Sequence, residues 1–385
     1  MKPKALICGI AVMVTVNMTG PASAAPSAFS LSVTPVLSHL NAARGIAFDG
    51  QGSLYVAESG QALPGPAGVT RTGRVSKYAA GSFARRWSTS FTSLHDSEHG
   101  TPEALGPEGI SAVGSGCMGN GHGQRNGCQI QMIMSESQAG TAGVDPDSQL
   151  GHLYRLDGAT GTPTDKSDVG GQQYQWTTDH RDLFPSDFPD SNPYGLLVTK
   201  GHGGLRTFVA DAGANTISEV TRDGTTRVLA YLPNETNAGQ HDATPTCVTE
   251  GPDGALYVGT LDLLSNFSEG GGQSHVYRID PNVGENYLTA AHEWAHGLTS
   301  ISACTFDRAG NFWGTELFGQ TTHGAPGDLV RIPFGQPASV THLGAGQIIL
   351  PGGIAQGPDG AMYVTTHTAD PTPNASQVVR VSTTG

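Results

Sequence analysis

The stretch GIAFDGQGSLYVAES, from Gly45 to Ser59, constrains the fold more than any other part of the chain. Apolar residues alternate before the turn (Ile46, Phe48) and after it (Leu54, Val56), and the turn itself is Asp49-Gly50-Gln51-Gly52. Period-two alternation on both sides of a tight Asp/Gly turn specifies a β-hairpin. The pattern returns as CVTEGPDGALYVGT from Cys247, CTFDRAGNFWGTE from Cys304 and GIAQGPDGAMYVTT from Gly353. Each such unit has an apolar face that it cannot bury alone, so the repeats must pack against one another.

Two less obvious copies complete the set. Glu108–Val113 with Ile130–Glu136 forms one, and Asn192–Leu196 with Thr207–Asp211 the other. Third strands are expected at Gly73–Tyr78, His152–Leu156, Thr216–Thr221, His275–Ile279, Asp328–Ile332 and Gln377–Val381, and fourth strands at Phe83–Trp87 and Thr226–Tyr231. Four meandering strands per unit and six units predict an all-β, six-bladed β-propeller. The sixth unit lacks a fourth strand, and Phe29–Val33 is an alternating strand with no unit of its own. Pairing the two closes the ring and removes an exposed edge. The 54 glycines and 24 prolines, with only 14% charged residues, suit short strands and tight turns. Residues 158–173 are expected to be an exposed loop, and 177–190 a short helix broken at Pro185.

The N-terminus reads as a secretory signal over residues 1–24, leaving a propeller over 25–385. Lys2 and Lys4 precede an apolar run from Ala5 to Met18, and Ala22-Ser23-Ala24 offers a cleavage site. The apolar run is shorter than the roughly 20 residues needed to span a bilayer. Cleavage leaves 18 basic against 33 acidic residues, a net charge of −15. Such a surface excludes nucleic acid and anionic lipid as partners and suits an exported, monomeric protein. Export permits disulfides. Cys117 and Cys128 bound a glycine-rich insertion and are expected to pair, contributing ~2–3 kcal/mol; a metal site there would have only His122 to add. Cys247 and Cys304 fall in the first strands of neighbouring units, as two buried thiols or as a bridge.

Aligning the repeats on their turn glycines places Glu58, Glu136, Asp211, Thr260, Glu316 and Thr366 in one column at the end of each second strand. Strand ends of a propeller converge on the mouth of the central channel. A ring of carboxylates there could hold Ca²⁺ or orient a polar ligand, or each acid could cap its own turn. Asn192, Tyr194 and His241 precede first strands at the same mouth, and His95, Asp96 and Glu98 lie in the crossover between the first two units. The sequence His292-Glu293-Trp294-Ala295-His296 matches the HExxH pattern of zinc peptidases. That pattern needs a helix, on which the two histidines share a face. Here it falls in a fourth-strand slot, where they would stand roughly 13 Å apart.

The stretches DSNPYGLL from Asp190, VADAGAN from Val209 and GPDGALYVG from Gly251 resemble the ScyD/ScyE family, exported NHL-like propeller proteins. The likeness covers about residues 36–370 and implies a propeller and export. It carries no catalytic motif. The expected function is therefore a secreted binding module for a small polar ligand or a protein partner at the channel mouth. The alternative is a Ca²⁺-dependent hydrolase or lactonase-like enzyme using Glu58, Glu136, Asp211 or Glu316 as metal ligands.

Overall fold

The computed structural model of the chain describes residues 30–63, 68–96, 102–113, 129–140, 145, 147–183, 189–201, 203–232, 242–283, 291–319 and 326–384. Six antiparallel sheets follow one another along the chain. Blade 1 contains Ala43–Phe48, Leu54–Glu58, Gly68–Tyr78 and Arg85–Asp96, with Glu103–Leu105 added at its edge. Blade 2 contains Pro107–Val113, Gln129–Met134, His152–Leu156 and Pro163–Asp168; blade 3 contains Pro193–Gly201, Gly204–Asp211, Thr216–Val220 and Thr226–Tyr231. Blade 4 runs through Pro245–Glu250, Leu256–Thr260, Ser274–Ile279 and Ala291–Leu298, and blade 5 through Ile301–Phe306, Asn311–Glu316, Gly327–Pro333 and Thr341–Ile348. Blade 6 has Ile354–Gln356, Met362–Thr366 and Ser376–Thr384, and takes its outer strand, Ser30–Leu40, from the N-terminal side. The ring is closed as the strand count requires, with Ser30 opposite Thr384 and Val33 opposite Val381.

The cores lie between blades. Phe91 and Val75 of blade 1 meet Ile110, Met132 and Leu156 of blade 2, and Phe312 and Val330 of blade 5 meet Tyr257 and Val276 of blade 4. The hairpin turns add a polar clasp. Asp49, Asp253, Asp307 and Asp359 each accept a backbone N–H within the turn and reach the polar end of an aromatic, Tyr55, Tyr257, Trp313 and Tyr363.

The first strand of each blade is innermost, and these six strands pack side by side around the channel. In blades 1 to 5 the pairing of first and second strands slips by one residue near the start of the inner strand. A bulge of this kind turns a side chain out of the sheet alternation. The bulges carry Arg44, Glu108, Tyr194, Thr246 and Ser302, and all five line the channel. The next residue is glycine in blades 1, 2, 3 and 6 because the neighbouring inner strand leaves no room: a Cβ on Gly45 would lie 2.2 Å from the Glu108 carbonyl oxygen, and one on Gly353 2.5 Å from that of Arg44. Blades 4 and 5 have Cys247 and Ala303 there, and Cys247 is bridged to Cys304 of the next blade.

Two segments differ from expectation. Pro163–Asp168 is the fourth strand of blade 2 rather than a loop, and the helix is Val169–Asp179, ahead of the expected span. The strand is an outer one, exposed along most of its length, so no apolar alternation marks it. The helix starts where the Asp168 side chain accepts from Gly171 N–H (2.7 Å). Leu263–Glu269 forms a further short helix. Among the described residues no helix is long and apolar enough to cross a membrane. Residues 1–24, Phe29 and the Cys117 and Cys128 pair lie outside the described residues.

The Cys247–Cys304 bridge spans 57 residues, and loop entropy alone assigns it up to about 4 kcal/mol. The Cys247→Ser/Cys304→Ser double variant is expected to lose about 2–4 kcal/mol in urea unfolding, with the channel-facing residues otherwise in place.

Candidate functional site

The six residues of the sequence-aligned column are all buried, and five of them end second strands; in blade 2 Met134 takes that position and Glu136 lies two residues beyond it, because the sequence alignment is out of step there. Glu58 receives a two-pronged bond from Arg74 (2.8 and 2.7 Å) and a third from Asn41 N–H (2.9 Å). Asp211 accepts from Ser191 Oγ (2.6 Å) and from the N–H groups of Asn192, Gly213 and Ala214 (2.8, 3.1 and 2.9 Å). Burial raises the Asp211 carboxyl, and these donors oppose the rise. Glu316 accepts from Thr299 N–H (2.7 Å). Three of the four acids thus tie down the backbone that leads into the inner strand of their own blade.

Glu316 also belongs to a cluster that the column did not reveal. It lies opposite Asp328 on the third strand of blade 5, and His342 comes in from the fourth. His342 Nδ1 stands 3.2 Å from Glu316 Oε2 and 3.3 Å from Asp328 Oδ2. In blade 1 the corresponding partner of Glu58 is Arg74, so a cation from the protein answers the acid; in blade 5 a second carboxylate takes that place. Burial pushes Glu316 up to about 8, and the bonds to Asp328 and Glu316 push His342 up to about 10. Among the described residues Asp328 Oδ1 is buried with no hydrogen-bond donor. One oxygen from each acid and one nitrogen from His342 lie within 4.8 Å of one another, so the three groups are placed to coordinate a divalent cation. They are the only such group among the described residues, and of the four acids expected as metal ligands only Glu316 is in it. Asp328 and His342 left no mark in the repeat alignment, because third and fourth strands diverge between blades.

The other predicted residues gather at blades 2 and 3. Asn192 Oδ1 accepts from Glu136 N–H (3.2 Å), and Asn192 N–H donates to Asp211, so Glu136, Asn192 and Asp211 form one connected group. Tyr194 lines the channel beside Arg44 and Glu108; Arg44 Nη1 donates to its hydroxyl (3.4 Å). Arg44 and Glu108 were not among the expected site residues. Their signal was available: in the first strand of units 1 to 3 the residue before glycine is Arg, Glu or Tyr, large and polar where the flanking residues are apolar or small.

Other expectations resolve differently. His95 and Asp96 are in the fourth strand of blade 1 rather than in a crossover; Glu98 and His241 lie outside the described residues. His292–His296 lies within the strand Ala291–Leu298, where Glu293 contacts His275 (3.0 Å) and His296 (2.7 Å), so the helix that a HExxH zinc site requires is not formed. Thr260 and Thr366 end the second strands of blades 4 and 6, where they supply hydroxyls in place of acids.

The fold and its channel define the class: a six-bladed β-propeller. No protein-family model and no curated protein matches the chain. Among solved structures it resembles a putative oxidoreductase (glucose dehydrogenase) from Thermus thermophilus, at 15% identity and TM-score 0.52, over 92% of this chain and all of that one. It also resembles the PQQ-bound form of an aldose sugar dehydrogenase from Streptomyces coelicolor (13%, 0.51; 94% and 100% covered) and a protein of unknown function from Bacteroides thetaiotaomicron (13%, 0.52; 92% and 76% covered). At these identities the likeness is one of fold.

The different environments of the column acids have opposite consequences. Asp211→Ala leaves three backbone donors without their acceptor and is expected to cost about 2–5 kcal/mol in denaturant unfolding. Glu136 is raised well above the ordinary carboxylate range, by burial first and then by Asp190, Glu103, Asp211 and Glu108. A raised carboxyl makes the folded state bind the extra proton, so stability falls as pH rises through that interval. Glu136→Gln should therefore lose less stability than wild type between pH 5 and 8 in the same assay.

Proposed function

We propose that this protein is an exported, divalent-cation-dependent propeller enzyme of the hydrolase class, lactonase-like in acting on a small polar substrate, with its cation held by Glu316, Asp328 and His342. The observation that carries the reading is the cluster itself: two buried carboxylates face one imidazole, and among the described residues Asp328 Oδ1 has no donor. A buried acid pair without a second cation is costly unless an ion or a proton answers it. A bound divalent ion would polarise a carbonyl or acidify a water molecule. The protein's part is to hold Glu316 by Thr299 N–H and to leave the His342 side open, its side chain being 30% exposed. Calcium is the ion suggested by an all-carboxylate ring, but it prefers six or more oxygen ligands. An imidazole with two carboxylates suits Zn²⁺ or Mn²⁺ better.

Export is supported by the signal-like residues 1–24 and by the Cys247–Cys304 bridge, since disulfides persist in oxidising compartments. The resemblance to ScyD/ScyE proteins agrees with an exported propeller and adds no catalytic group. A binding module without turnover is the second reading, favoured by the way Glu58 and Asp211 are occupied in holding loops.

Calorimetric titration with Zn²⁺, Mn²⁺ and Ca²⁺ tests the proposal. One ion per chain is expected, with affinity rising with pH up to the His342 value, about tenfold per unit above the Glu316 value and more steeply below it, because metal must displace the imidazole proton and, at lower pH, the Glu316 proton as well. His342→Ala and Glu316→Gln should each weaken binding by tenfold or more, and EDTA should lower the melting temperature and abolish hydrolysis in a lactone and ester panel. Absence of both heat and melting shift with all three ions would overturn the metal reading; metal binding without turnover would favour the binding module.

A further inference from the structure

The inner hairpin of blade 3 is longer than those of blades 1, 4 and 5. In those three blades the pairing of first and second strands ends at Phe48/Leu54, Glu250/Leu256 and Phe306/Phe312. Blade 3 reaches the equivalent pair at Val198/Thr207 and then adds Thr199/Arg206, Lys200/Leu205 and Gly201/Gly204. The extension projects on the face opposite the channel mouth, and side-chain bonds tie it to blade 4. Thr199 Oγ1 donates to Glu250 Oε2, and Arg206 donates to the Pro281 carbonyl oxygen (2.8 Å) and to Asn282 Oδ1 (3.2 Å). The residues so tied line a cleft of about 590 Å³, against about 80 Å³ for the channel cavity. That volume falls within the roughly 300–1,000 Å³ range of small-ligand sites. Gly203 and Gly254 also line it, and a Cβ on either would meet nothing within 4 Å, so the cleft is open past both.

The two walls carry opposite charge. Lys200 and Arg206 stand on the blade 3 wall, Glu250 and Asp253 on the blade 4 wall. Two of the four are answered within the protein: Arg206 Nε is 2.7 Å from Glu219 Oε1, and Arg278 Nε is 2.8 Å from Asp253 Oδ2. The other two are not. Among the described residues Lys200 has no hydrogen bond or ion pair, and the Glu250 carboxylate has no cation and accepts only from the Thr199 hydroxyl. Both are accessible, Lys200 being exposed and Glu250 half-buried. One ammonium and one carboxylate therefore border the same cleft from opposite walls without pairing with each other.

We propose that this cleft binds a small zwitterion of the amino-acid or dipeptide type, its carboxylate set against Lys200 and its ammonium against Glu250. A carboxylate offers two acceptor oxygens and an ammonium three N–H donors, so each end of the ligand complements one wall. A ligand with a single charge satisfies one wall and brings like charge to the other: an anion meets Glu250, a cation meets Lys200. A neutral ligand leaves both charges as they are. The cleft shares no residue with the Glu316–Asp328–His342 cluster, and the assignment does not rest on that cluster binding a metal.

Calorimetry and thermal-shift measurements on the whole chain test the assignment. L-Alanine and L-alanyl-L-alanine are the probes; propionate and ethylamine, which keep one charge each, are the comparisons. At least one zwitterion should bind saturably and raise the melting temperature, and the tighter of the two reports the spacing of the charges across the cleft. Propionate and ethylamine should each bind about fivefold more weakly than that zwitterion, or worse. Lys200→Gln should erase the preference for the zwitterion over ethylamine, and Glu250→Gln the preference over propionate, whereas a merely structural change would weaken all ligands alike. No saturable binding of either zwitterion to the wild-type chain would overturn the assignment. So would binding of propionate or ethylamine as tight as that of the zwitterion, or preferences left unaltered in both Gln variants.

Discussion

Ser30–Leu40 pairs with Ser376–Thr384, and the rest of the ring depends on that seam. Five blades are built from consecutive chain; the sixth is completed by a strand from the other end of the sequence. Asn41 follows the closing strand and fastens it three ways. Its Oδ1 accepts from Asn374 N–H, its side-chain amide reaches Asn374 Oδ1, and its own N–H donates to Glu58. Glu58 is in turn clamped by Arg74. The acid that looked like a ligand donor in the sequence is thus coupled to ring closure, and a channel whose wall needs six strands exists only while this contact holds.

The divergence among the column acids follows from what each blade places opposite them. Blade 1 offers an arginine, blade 3 offers four donors from its own loops, and blade 5 offers another acid with a histidine behind it. Blade 2 has Met134 at that position, and Glu136, two residues on, donates its N–H to Asn192 Oδ1. Equivalent strand-end positions in blades 1, 3 and 5 therefore hold carboxylates answered by an arginine, by loop donors, or by a second acid with a histidine. The scaffold's near-symmetry makes that difference readable: a charge left unanswered in one blade stands out against its equivalents in the others.

Much of this was legible in the residues. Hairpin alternation and turn glycines gave the six units, and the surplus strand Phe29–Val33 against the deficit in blade 6 gave the closure. Outer strands were harder, because a strand such as Pro163–Asp168 buries little and carries no period-two signal. The channel wall was harder still. Arg44, Glu108 and Tyr194 face inward because of a one-residue slip in pairing, and slips are a property of two strands together rather than of either one. His342 sits on a fourth strand, where the units no longer resemble each other, so its approach to Glu316 could not be read from any column.

The seam also places the two ends of the described ring side by side, since Ser30 faces Thr384. Topologically the propeller has no privileged starting point: a short connector between those residues would turn the chain into a closed loop, which could then be reopened at an exposed turn in another blade without losing a strand pairing. In that respect the order of the units along the sequence is an accident of where the loop was cut, whereas their order around the ring is what the packing between blades preserves.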